Sequence, residues 1–197
     1  MKKSERTRQM IIEQAADIFN EKGVAGTSID EVLQAAKVAK GCLYGHFESK
    51  DELAYASAEY LLDKVTNRRN NVLQLQKTSI DKLIAFVEMN ANPLDDSFIH
   101  GGCPILNFGV DTDDTNQAIR EKVQSVIKTA TRQLTTIIKD GVSAGELSAD
   151  IHPEELAIKL FAAVEGAFMI SRVMGSPLPM KTAVKAMKKE ILSYSLI

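Results

Sequence analysis

Residues 40–46, Lys-Gly-Cys-Leu-Tyr-Gly-His, gather a flexible cation, a thiol, a phenol and an imidazole with two glycines and no acid. Leu43 and Phe47, four apart, anchor a short helix to a core and leave Lys40, Gly41, Cys42, Tyr44 and His46 on its other sides. Such a surface can approach DNA closely, because small and cationic side chains neither repel phosphates nor hold the backbone away. His100-Gly-Gly-Cys103-Pro104 offers different chemistry. A cysteine near a predicted helix N-terminus, three residues from a histidine, sits where a thiolate is favoured. As an enzyme centre this pair lacks an orienting third group, and the chain has no recognisable nucleophile motif, phosphate-binding glycine loop or carboxylate pair. As a metal site it shows two ligands where zinc takes three or four, so no metal is assigned.

The elements that must position the first cluster are legible. Thr27 and Ser28 are good N-cap residues, and Glu31 three positions after Ser28 completes a capping box, so a helix starts near residue 28. Ile29, Val32, Leu33 and Ala36 give it one buried face. Before it, residues 5–22 carry Ile11, Ile12, Ala15, Ala16 and Phe19 on one stripe, stopped by Gly23. After it, residues 50 to about 76 form a longer helix with Leu53, Tyr60, Leu61 and Val65 inward, and with Lys64, Arg68 and Arg69 toward solvent or the neighbouring domain.

Further helices are predicted from Ser79 to about Asn90, from about Asn116 to Ser143 alongside the helix from Ser79, from Pro153 to Met174, and from about Met180 to Tyr194. Asn92-Pro93 ends the first of these in a loop. The two glycines before Cys103 permit a bend, Pro104 suits the first turn of a short helix, and this segment is the expected moving part. Phe86, Met89, Phe98, Ile105, Phe108, Phe161, Phe168 and Met169 supply apolar surface for a cavity between helices. The scarcity of charge at interior positions predicts a largely apolar or aromatic ligand rather than a polyanion, oriented by Asn107, His100 or Glu165.

At 197 residues, 45% hydrophobic and 25% charged, the composition is that of an ordinary soluble globular protein. No apolar stretch is long enough to cross a bilayer and the N-terminus lacks an apolar signal core, so no membrane partner is expected and the cytoplasm is the expected location. Two cysteines, Cys42 and Cys103, do not make a disulfide framework. Net charge is −2 overall, and residues 1–50 carry eight Lys/Arg against seven Asp/Glu, so positive charge is local: Lys2, Lys3, Arg6 and Arg8, then Lys40 and Lys50. That placement predicts moderate, salt-dependent contact with phosphates.

Ala15-Ala16, Ile18-Phe19, Gly23, Thr27, Ile29, Val32, Ala35-Ala36, Val38, Lys40-Gly41, Leu43-Tyr44, His46-Phe47, Ser49-Lys50 and Leu53, in order and without gaps, resemble the N-terminal pattern of the TetR family of bacterial transcriptional regulators. The resemblance covers about the first 55 residues. It implies an all-α protein of about nine helices, with a three-helix helix-turn-helix domain over 1–50 joined by a long helix to a ligand-binding and dimerisation domain over 51–197. It further implies a homodimer through the helices at 153–174 and 180–194, binding a double-stranded DNA operator as a repressor or, in the same fold, an activator. No cofactor is implied. Carried onto this chain, the motif makes Lys40 the base-reading candidate and Gly41 the point of close backbone approach. Cys42 and Tyr44 would touch thymine methyls or phosphate oxygens, and Thr27, Ser28, Tyr44, His46 and Lys50 would fix register. The small-molecule effector, of unnamed identity, would be largely apolar or thiol-reactive; the contact candidates are Phe86, Met89, His100, Cys103, Asn107, Phe108, Glu165 and Phe168, with Cys103 as the thiol of a redox or electrophile switch.

Overall fold

The computed structural model describes residues 2–95 and 98–197. Among them nine α-helices occur: α1 Lys3–Gly26, α2 Ile29–Ala36, α3 Lys40–Tyr44, α4 Lys50–Gln74, α5 Ser79–Glu88, α6 Pro104–Thr112, α7 Gln117–Ser143, α8 Pro153–Val173 and α9 Leu178–Ser193. The only extended pairing among the described residues is an isolated bridge between Leu147 and Ser195. The expected loop after Pro93 runs partly through residues 96 and 97, outside the described residues. Among the described residues no helix is long and apolar enough to cross a membrane.

The chain forms two compact units, one of residues up to 64 with 98–124, the other of 65–95 with 125–197. The first contains α1, α2, α3, the start of α4, α6 and the start of α7. Its core is Ile11, Ala15, Phe19, Val32, Leu43, Phe47 and Leu53, all nearly inaccessible. Gly23 interrupts α1 at φ 75°, ψ 167°, so the expected stop becomes a break before a last short turn. Ser28 Oγ accepts the Glu31 amide while the Glu31 carboxylate accepts the Ser28 amide, closing the predicted capping box. Between α2 and α3 the chain turns through Lys37 at φ 53°, a left-handed conformation that costs a β-carbon-bearing residue roughly 1–2 kcal/mol and that nothing in the sequence foretells.

In the second unit α8 packs along α9 through Leu156, Leu160, Val164, Met180, Met187 and Ile191, and the buried Ser171 hydroxyl accepts the Met180 amide at 2.9 Å. The helix that α5 lies along is α9, not α7 as the periodicity suggests. The end of α7 meets α5 at its N-terminus. There Gly141 lies so near Ser79 that a β-carbon would approach the Ser79 Cβ to 2.7 Å, and the Ser79 amide donates to Glu146 at 2.6 Å. A second correction concerns charge. Arg69, expected toward solvent or the neighbouring domain, is only 4% exposed, and the interior of this unit therefore carries a cation. Position 69 lies a turn before Leu73, also buried, so one helical face takes both side chains inward.

Lys22 of α1 pairs with Glu31 of α2, and that hydrogen bond, with those from Ser28, holds the Glu31 carboxyl down at about 2, below its ordinary 4.5. A depressed carboxyl stabilises the fold fully above its ordinary range and loses that contribution as pH falls through the native value. Side-chain carboxyl NMR is expected to show Glu31 titrating near pH 2, and Glu31→Gln should flatten the acid dependence of stability between about pH 4.5 and 2.

Candidate nucleic-acid interface

The α2–turn–α3 segment brings Lys40, Gly41 and Tyr44, singled out in the sequence, to the exposed side of one short helix. Leu43 and Phe47 are buried beneath it, with the Arg8 guanidinium 4.7 Å from the Phe47 ring centroid and 3.7 Å from Glu52. Arg8 is thereby committed to packing and pairing within the head, whereas Lys2, Lys3, Arg6 and Lys40 are exposed. Tyr44 is 44% exposed, Cys42 and His46 are half-buried, and Lys50 begins α4 beside the Ser49 side chain that caps it through the Glu52 amide. Thr27 departs from its expected role. It is 2% exposed and its hydroxyl donates to the Gly23 carbonyl at 2.8 Å, so it braces the turn instead of offering a free donor. Ser28 is exposed, but its hydroxyl is already shared with Glu31.

Gly41 is informative for a different reason. A β-carbon there would meet nothing within 4 Å, and its φ is not in the left-handed region, so neither packing nor conformation within the chain requires glycine. A helical glycine costs about 0.5–1 kcal/mol relative to alanine.

Behind this surface the end of α1 is fastened to the segment that leads into α6. Asn20, 2% exposed, donates from Nδ2 to the carbonyls of His100 at 2.7 Å and Gly102 at 3.1 Å. Asn107 of α6 returns the bond, its Nδ2 lying 2.9 Å from Asn20 O, 3.2 Å from Asn20 Oδ1 and 3.0 Å from Gly101 O. Further along α6, Asp111 accepts the Val24 amide at 2.7 Å. His100 is exposed with Nδ1 2.8 Å from Glu21 Oε1. The glycines make this closeness possible. At Gly101 (φ +82°) a β-carbon would come within 2.7 Å of Glu21 Cγ, and at Gly23 (φ +75°) within 2.5 Å of Asp111 Oδ1.

Two residues expected to orient a ligand, His100 and Asn107, are thus drawn together at this junction. Cys103 is the half-buried N-cap of α6 with Pro104 behind it at the first helical position, and Phe108 is buried one turn on. In the other unit Phe86 is buried on α5, Met89 caps its end, and Glu165 and Phe168 are half-buried on α8. Among the described residues no three His, Cys, Asp or Glu side chains cluster as a metal site would. Sequence reasoning missed Asn20, Glu21 and Asp111. Asn20 shares the buried stripe of Ile12 and Ala16 at four-residue spacing, and a polar residue at a core position was the signal.

Comparisons with known proteins agree with this geometry. Residues 11–56 match the family described as bacterial regulatory proteins, tetR family, and residues 79–187 the tetracyclin repressor-like, C-terminal domain. A TetR-family transcriptional regulator from Cytophaga hutchinsonii, solved by crystallography, is 34% identical and superimposes over 100% of this chain and 98% of its own with a TM-score of 0.93. The HTH-type transcriptional repressor DhaR of Mycobacterium sp. strain GP1 is 25% identical over 167 residues, 84% of this chain and 82% of DhaR. The regulator CifR, solved in complex with 26-bp double-strand operator DNA, shares the fold at 20% identity, with a TM-score of 0.79 over 92% of this chain and 94% of its own.

Removing one amide from the junction leaves buried carbonyls without donors. Asn107→Ala is expected to lower unfolding free energy by about 1–3 kcal/mol in urea titrations, with α1 amides losing hydrogen-exchange protection first.

Proposed function

This chain belongs to the TetR family of bacterial regulatory proteins, and on that premise we propose that it is a homodimeric repressor that leaves its operator when a small molecule binds its body. Its basic activity is sequence-specific DNA binding in the regulation of transcription. The observation that carries the reading is the exposed α3 surface around Gly41, where a glycine unexplained by the chain's own packing stands beside Lys40. Lys40 reads a guanine edge. Gly41 and Cys42 admit the duplex, Tyr44, His46 and Lys50 hold register on phosphates, and Ser28 contributes from the α2 entry. Residues 1–50 act as the DNA-binding domain and 51–197 as the ligand-binding and dimerisation domain, although α6 is bonded to the head.

Dimerisation is supported by an unpartnered stripe on α8. Ile158, Ala162, Gly166, Met169 and Val173 follow one another at helical spacing; Val173 is 80% exposed, Ile158 60% and Met169 48%. A β-carbon at Gly166 would meet nothing within 4 Å. An apolar stripe with a small residue at its centre suits the same stripe on a second copy, with α9 alongside. Two heads then meet successive major grooves about 34–36 Å apart, or a multiple of that along the duplex, and a change in head orientation breaks the fit. The effector acts by binding one body conformation better than the other. Its contacts in the second unit are drawn from Phe86, Met89, Glu165 and Phe168. The junction at Asn20, His100 and Asn107 relays any movement of α6 to the head.

Fluorescence anisotropy against duplexes tiling the DNA beside the gene, with nonspecific competitor, tests this reading. Saturable binding to one near-palindromic segment is expected; a wild type that never prefers a segment would sink it. Gly41→Ala should keep or slightly raise thermal stability while weakening operator binding about tenfold or more, and Lys40→Ala should lose about 1–3 kcal/mol of discrimination against scrambled DNA. Met169→Glu combined with Val173→Glu should give a folded monomer by light scattering that no longer binds the full operator with dimer affinity.

A further inference from the structure

The buried cation of the second unit carries the strongest unassigned chemistry. Arg69 projects from α4 with its Nε donating to Gln133 Oε1 at 3.0 Å, and Gln133 is itself fixed by donating from Nε2 to Asn70 Oδ1 at 3.2 Å. This orients the guanidinium without neutralising it, since Gln133 is uncharged. The Nη2 atom is buried and has no protein acceptor. One turn earlier on the same helix, the Thr66 hydroxyl is also buried without a protein partner. Burial alone lowers the Arg69 pKa, with no carboxylate lending opposing support, yet a guanidinium stays protonated throughout the physiological range.

A structural role does not account for this arrangement. A glutamine or methionine at position 69 would fill the space or brace Gln133 without placing an uncompensated charge where solvent hardly reaches, and a lone buried ion is among the least favourable groups a fold can hold. The rest of the buried interior of this unit is neutral: apolar side chains such as Leu73, Leu83, Phe86, Leu134 and Phe161, with two serines. A group suited to Nη2 therefore brings an acceptor with negative charge, while the remainder of its body is apolar.

We propose that Arg69, with the unpartnered Thr66 hydroxyl one turn earlier on the same helix, is the anchor for the carboxylate of a small organic acid with an apolar body. The inference rests on the reading of this unit as the effector-binding body and narrows its ligand. It accommodates the largely apolar effector expected from the sequence and adds to an interior expected to be poor in charge one buried cation. A carboxylate matches the guanidinium fork, and its remaining acceptor capacity takes the Thr66 proton.

The test uses the full-length protein, with octanoate and benzoate as probes, octanamide and benzamide as uncharged controls, and chloride balancing ionic strength. Thermal unfolding should rise by about 2–4 °C or more with at least one carboxylate in excess and not with its amide, and Arg69→Gln should abolish the rise. Arg69→Lys, which keeps the charge but not the fork, should respond more weakly than the wild type. No response of the wild type to either acid, equal responses to acid and amide, or a full response in Arg69→Gln overturns the proposal. Should Arg69→Gln not fold, the comparison of acid with amide on the wild type decides alone. Operator anisotropy in the same solutions separates the two readings. Arg69-dependent stabilisation that leaves DNA bound supports the anchor and removes the effector role of that acid, whereas release that survives Arg69→Gln overturns the anchor and leaves the effector reading standing.

Discussion

The head of this protein depends on how the end of α1 is held, and it is held by one buried amide. Asn20 donates to two carbonyls of the segment before α6 and receives Asn107 in return, so four polar groups are satisfied together or left together without partners. Buried hydrogen bonds of this kind are costly to break singly, which gives the junction discrete positions instead of a continuum. The two glycines reinforce this. Gly23 admits Asp111 and Gly101 admits Glu21 at distances no other residue would tolerate, so each side of the junction carries a notch for a side chain of the other. Because Val24 and Thr27 are bonded to the same corner, the position of α6 reaches the start of α2 within a few residues.

The parts of the fold that were legible in the sequence are those fixed by local chemistry. Ser28 and Glu31 announced a helix start because a capping box satisfies donors within four residues. Pro104 announced α6, and the glycines of residues 101 and 102 announced the bend before it, both taking positive φ. What was not legible depends on partners distant in sequence. Thr27 had the chemistry of a phosphate donor, but its hydroxyl is turned onto Gly23. Arg8 looked like part of a basic edge and is stacked on Phe47. Asn107 had the chemistry of a ligand contact and instead closes the junction with α1. Arg69 was the largest miss: a cation is usually assigned to solvent, and nothing in its immediate neighbours says otherwise, although its helical register with the buried Leu73 does.

Two glycines point beyond the chain. Some helical glycines are accounted for by something that a β-carbon would strike, as at Gly141 against Ser79. Gly41 and Gly166 strike nothing, take no left-handed φ, and weaken the helices they occupy. Gly41 is exposed beside Lys40, and Gly166 is half-buried in the apolar stripe of α8. On the proposed reading each glycine is clearance for another molecule: a polyanion beside Lys40, a second apolar helix beside the methyl-bearing side chains of α8.

The magnitudes of such contacts bear on how a body can govern a head. Converting a population from about 1:99 to 99:1 requires a ligand to favour one conformation by about 5.5 kcal/mol. Apolar contact alone distributes that preference over many small terms, each of which both conformations partly retain. A buried guanidinium is different, because losing or gaining its only counter-ion in a desolvated setting is worth about 3–5 kcal/mol and the pairing is sharply dependent on geometry. A conformation that keeps Gln133 on Nε and presents Nη2 to a carboxylate is favoured by most of the required difference through one residue. Arg69 lies on α4, the same helix that begins at Lys50 at the edge of the DNA-facing surface. On the proposed reading, placing the steepest interaction of the body on that helix would let a single small anion supply the differential affinity that release demands.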